Sequence, residues 1–70
     1  GKLHEAKWTK PFLVKKLTDS NSDVRKRAAL SLMKLKASGA IKDLSEIFLT
    51  EEDPDVAKVM KLAIKRLKHG

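Results

Sequence analysis

From Pro54 to about Lys68 the apolar residues Val56, Met60, Ala63, Ile64 and Leu67 recur at helical spacing, and lysines fill much of the space between them. A stripe of that period belongs to a helix that buries one face. Its start is equally marked. Asp53 can cap it, Pro54 suits the first helical position where a missing N–H costs nothing, and Asp55 sits at the positive end of the helix dipole. The same reasoning predicts three helices upstream. The first runs from about Thr9, a cap ahead of Pro11, to Thr18, and uses Phe12, Leu13 and Leu17. The second runs from Ser22 to about Lys36, capped by Asn21 or Ser22, with Val24, Ala28, Leu32 and Leu35 on one stripe and Ser31 as a small residue permitting close helix approach. Gly39 is expected to close it in left-handed geometry. The third spans about Ala40 to Thr50 on Ile41, Leu44, Ile47 and Phe48. No segment alternates as a strand would. Four helices with short loops imply an all-α fold of two antiparallel helix pairs.

The pattern repeats. A shift of about 32 residues superposes the first helix on the third and the second on the fourth. Lys10 then meets Lys42, Leu17 meets Leu49, Thr18 meets Thr50, Asp23-Val24 meets Asp55-Val56, Leu30 meets Leu62, and Leu35-Lys36 meets Leu67-Lys68. Chance can match lysines, but it is a poor source of a turn, an Asp-Val start and a helix-end leucine in one register. Residues 1–70 therefore read as one domain, with repeat 1 over about 8–38 and repeat 2 over about 39–70. Lys2-Leu3-His4 falls in the register of Lys34-Leu35-Lys36, so residues 2–7 read as a remnant of a preceding repeat.

A first helix, an acidic turn and then Asp23-Val24-Arg25 with Ala28-Ala29 and Leu32 resembles HEAT-type repeats, in particular the short variety of phycobilin-lyase-like proteins. Glu52-Asp53-Pro54-Asp55-Val56, after Ala40-Ile41 to Leu44, carries the likeness in the second copy. That copy departs from the pattern at Ala57, Met60 and Lys61, so a contact made by Arg25 between repeats has no assured counterpart at Ala57. The resemblance implies a short right-handed α-solenoid whose layers bury their faces on one another. About three layers are usual for stability, so two are expected to be marginal, capped or self-associated. It also implies that the second helices of each pair line the face that meets partners.

Composition narrows the function. Seventy residues with 41% hydrophobic content are close to the smallest chain that builds its own core, and only Trp8, Phe12 and Phe48 are aromatic, so that core must be aliphatic. Trp8 is expected to seal the start of the first helix, a surface hot spot being its alternative. The absence of cysteine removes disulfides and thiolate chemistry, and fits a cytoplasmic setting or a thermophilic source. No run of about 20 apolar residues spans a membrane. No nucleophile–base set, phosphate loop or paired carboxylate stands in a recognisable context, so no enzyme, catalytic residue or cofactor is expected. His4 and His69 are distant and without companion ligands, so neither is a metal site.

What remains is charge and two leucines. The net charge of +7 favours anionic partners. Lys26, Lys34, Lys58, Lys61 and Lys65 would form a basic ridge on the second helices, against a bland reading as solvated lysine. Leu30 and Leu62 lie about 150° from the centre of their own core stripes, with Met33 and Val59 near them. They suggest a docking strip unless another segment covers them. The partner-binding set is thus Lys26, Leu30, Met33, Lys34, Lys58, Leu62 and Lys65. An acidic protein surface is the leading partner. Nucleic acid bound through phosphates is the alternative, although no aromatic is interleaved to stack on bases. Self-association and a role as an accessory piece of a chromophore lyase, the latter from the resemblance alone, complete the readings.

Overall fold

Among the described residues, four helices are joined by short turns: α1 (Lys10–Lys16), α2 (Ser22–Lys34), a 3-10 turn (Ser38–Ala40), α3 (Ile41–Thr50) and α4 (Pro54–His69). The computed structural model describes residues 10–69. The expectations for Trp8, the Thr9 cap and the remnant at residues 2–7 lie outside these. No strand occurs among the described residues.

The capping chemistry is realised twice. Asn21 Oδ1 accepts from the amides of Asp23 (2.8 Å) and Val24 (3.4 Å) at the start of α2. Asp53 Oδ1 accepts from Asp55 (2.9 Å) and Val56 (3.3 Å) at the start of α4. The preceding turns agree as well. Thr18 and Thr50 donate to the carbonyls of Lys15 and Ile47, and Asp19 and Glu51 accept from the amides of Asn21 and Asp53. Every one of these pairs is offset by 32 residues.

The first helices of the pairs obey a different offset. Leu13 and Leu17 are buried in repeat 1, whereas Leu44 is buried and Phe48 packs against the core in repeat 2. Leu49, the expected counterpart of Leu17, is 81% exposed. The reason is helix length. α1 ends at Lys16, so Leu17 turns inward from the loop, while α3 continues to Thr50 and carries Leu49 round to solvent.

The core joins Leu13, Leu17, Ala28, Ala29, Leu32, Ala40, Leu44, Val56, Met60, Ala63 and Leu67. Leucine, methionine and valine supply its bulk, each worth about 1.5–3 kcal/mol when fully buried. The small Ala28, Ala29 and Ala63 let α2 approach α4, the most extensive helix pair in the fold, while α1 packs on α2 and α3 on α4. Three expectations change. Leu35 is 55% exposed rather than core, because α2 stops at Lys34 and Leu35 is its cap, whereas unbroken α4 keeps Leu67 on the inward stripe. Val24 is only half-buried, and Ile64 likewise lies at the core margin. The left-handed residue is Lys36 (φ 55°), not Gly39, and no glycine among the described residues has positive φ.

Candidate partner-binding surface

An arginine–carboxylate fork ties the two repeats together. Arg25, in the first turns of α2, donates from Nε to Glu51 Oε1 (2.8 Å) and from Nη2 to Glu51 Oε2 (2.9 Å). Its Nη1 donates to the carbonyls of Asp19 (2.8 Å) and Ser20 (3.2 Å). One guanidinium thus closes its own turn and grips the turn of the next repeat. The Glu51 side chain is 3% exposed. The Arg25 hydrogen bond holds the Glu51 carboxyl below its ordinary value and raises Arg25 in return, with burial opposing both shifts. A planar fork matched to a carboxylate is a positioning device. It fixes the starts of α2 and α4 side by side. At the corresponding place in repeat 2, Ala57 has no such group.

At the other ends of these helices the surface opens. Met33, Lys36, Ser38, Arg66 and Leu67 line a cleft of about 330 Å³. Leu62, Lys65, Arg66 and His69 line a second of about 440 Å³. Arg66 is the wall they share. Leu62, Lys65, Arg66 and His69 fall at i, i+3, i+4 and i+7, one stripe of α4. Leu62 is 41% exposed, so apolar surface meets water there among cations. No acid among the described residues lines either cleft. Among the described residues Lys36, Lys65 and Arg66 form no ion pair.

The clefts bring together three of the residues expected to meet partners: Met33, Leu62 and Lys65. Lys34 is exposed next to Met33, and Lys58 is exposed one turn before Leu62. Leu30 and Lys26 are half-buried, and Leu30 takes no part in the core cluster. Met33 and Val59 both pack against the core, which narrows the exposed apolar strip towards Leu62. Arg66, Lys36, Ser38 and His69 enter the lining without having been singled out. Arg66 was findable, since it stands one turn after Leu62. Lys36 and Ser38 were not, because their position depends on where α2 stops.

Two other depressions lie elsewhere. Phe12, Leu13, Lys16, Val24, Arg27, Ala28 and Ser31 line a largely apolar groove of about 230 Å³ between α1 and α2, where Ser31 permits the close approach and Lys16 Nζ lies 5.4 Å over the Phe12 ring. Leu17, Ile47 and the two turns line the other, around Arg25 and Glu51. No group of three or more His, Cys, Asp or Glu among the described residues could hold a metal ion. No helix among them is long and apolar enough to cross a membrane.

Helix pairs stacked through their second helices, each opened by a capped acidic turn and linked by an arginine, define a helical-repeat protein. The family model for HEAT repeats matches residues 2–65, and the chain belongs to that family. HEAT repeats generally serve protein–protein interaction and scaffolding. Neither the curated proteins nor the solved structures compared with the chain give a match.

Proposed function

We propose that the chain is a non-enzymatic docking module that receives an acidic protein surface on the outer face of α2 and α4. The observation that carries this reading is the cleft pair around Arg66, where exposed Leu62 and half-buried Met33 are bordered by cations and, among the described residues, by no acid. Apolar contact would supply affinity there, and the surrounding charge would steer the encounter. A comparison within the chain supports it. Where α2 buries Ala29 and half-buries Met33, α4 carries exposed Lys61 and Lys65. The outward face of α4 is thus chemically unlike the face with which α2 meets its neighbour. Lys26, Lys34 and Lys58 would extend the steering field along both helices.

Phosphate binding by nucleic acid is the second reading, favoured by Lys58, Lys61, Lys65, Arg66 and Lys68 standing on one helix without an ion pair among the described residues. One experiment separates the two. Fluorescence anisotropy would follow a labelled acidic peptide carrying two leucines, alongside labelled duplex DNA and single-stranded RNA. Leu30→Asp with Leu62→Asp should abolish peptide binding and spare the nucleic acids. Lys58→Glu with Lys65→Glu should weaken nucleic-acid binding and flatten its salt dependence between about 0.05 and 0.2 M. Peptide binding unchanged in the leucine variant would defeat the docking reading. Nucleic-acid binding tighter than roughly 10⁻⁶ M at the higher salt would promote the second reading.

A further inference from the structure

The chain carries a match for its own cleft. Leu49, on the last turn of α3, is 81% exposed, the most exposed large apolar side chain among the described residues. Glu46 lies one turn earlier on the same face, and exposed Glu52 follows in the turn. Among the described residues neither acid forms an ion pair. An exposed leucine with Glu46 on its own helix face, and Glu52 three residues further along the chain, is the chemical complement of the basic cleft around Leu62 and Arg66.

One molecule cannot join the two sites. The acidic patch sits beside the start of α4 and the cleft towards its end, and about 8–12 residues of helix, from Pro54 to Leu62 or Arg66, separate them by roughly 12–18 Å. We propose that the chain associates head-to-tail with a second copy of itself, Leu49 of one molecule seated between Leu62 and Arg66 of the next, with Glu46 and Glu52 facing Lys65 and Arg66. This rests on the reading of the α2–α4 face as a dock for acidic protein and names the chain itself as an occupant. The two contacting surfaces differ, so the contact is heterologous and leaves one free patch and one free cleft at the ends of every assembly. The contact is small, and the net charge of +7 opposes it, so association belongs to the weak, transient class.

Sedimentation equilibrium at about 0.1–1 mM protein tests the proposal through complementation, a concentration range suited to transient contacts. Glu46→Lys with Leu49→Ser breaks the patch, and Leu62→Ser with Arg66→Glu breaks the cleft. All four side chains are exposed, so circular dichroism should find both variants folded. Wild type should show a concentration-dependent rise in mass, and each variant alone should associate at least tenfold more weakly. An equimolar mixture of the two should recover association but stop at the dimer, because each molecule retains one working surface. A wild type monomeric throughout would overturn the proposal, as would variants that still associate or a mixture no heavier than its components. Acidic peptide binding by wild type in the anisotropy experiment would survive any of those results, so failure of self-association is distinguishable from failure of the docking face.

Discussion

A lysine in left-handed geometry carries a steric cost of about 1 kcal/mol, because its Cβ crowds the following carbonyl. Lys36 bears that cost to close α2. Its amide reaches Met33 O (3.1 Å), and the Ala37 amide reaches Leu32 O (3.1 Å), the paired bonds of a Schellman ending. Lys36→Gly should therefore raise stability by about 0.5–1 kcal/mol, read as a shift in the urea midpoint. Gly39→Ala should be nearly neutral, since the new Cβ would meet only the flexible tip of Lys10, at 2.8 Å. The Arg25–Glu51 pair gives a pH signature. Its carboxyl is lowered below 4.5 in the folded chain, so its stabilising effect is complete above that value and is lost as pH falls towards the lowered one. Glu51→Gln should reduce stability at neutral pH and flatten the decline in that acid window, as thermal melts against pH would record. An unchanged profile would mean that the pair adds nothing to the folded state.

At the scale of the helix, the caps and the inward stripes decide which elements form. Asn21→Ala and Asp53→Ala should each cost about 1 kcal/mol, because each removes the acceptor for two helix-start amides. Leu67→Ala should cost at least about 2 kcal/mol, while Leu35→Ala should stay within about 0.5 kcal/mol, although the two leucines occupy matching places in the repeat. That contrast shows what could be read in advance. The caps, α4 and its stripe were legible, since Asp53-Pro54-Asp55 and the apolar spacing are local signals. Leu35 was expected in the core, and Leu49 does not share the burial of its repeat counterpart Leu17, because burial depends on the residue at which each helix stops, and repeat 1 and repeat 2 stop differently. Ala40, fully buried, gave no periodic signal from within a three-residue turn. A contact of Arg25 between repeats followed from the family resemblance, but its partner Glu51 was hidden, because these residues are not counterparts under the repeat and lie 26 positions apart. In the candidate surface, Met33, Leu62 and Lys65 followed from helical spacing, but the clefts themselves needed the ends of two helices to be placed together.

Over the whole molecule, charge is sorted along the second helices. Both start among acids, with Asp19, Glu51, Glu52 and Asp53 in the preceding turns and Asp23 and Asp55 in the first helical turns, and both end among Lys34, Lys36, Lys65, Arg66 and Lys68. The sorting complements two parallel helix dipoles. It also crowds cations that form no ion pair among the described residues at one end of a chain whose net charge is already +7. Self-repulsion there acts through solvent, so salt should weaken it. Raising ionic strength from about 0.01 to 0.15 M shortens the screening length from about 30 to 8 Å. The unfolding midpoint should therefore rise over that interval, measured at a protein concentration low enough to keep the chain monomeric. Lys65→Gln should raise the low-salt midpoint and reduce the gain from salt, since it removes one member of the crowded end. Arg25→Ala should lower the midpoint at both salts, because its partner is almost enclosed and screening reaches the pair poorly. A midpoint that falls with added salt would mean that attraction between the ends of the helices outweighs repulsion within the basic one.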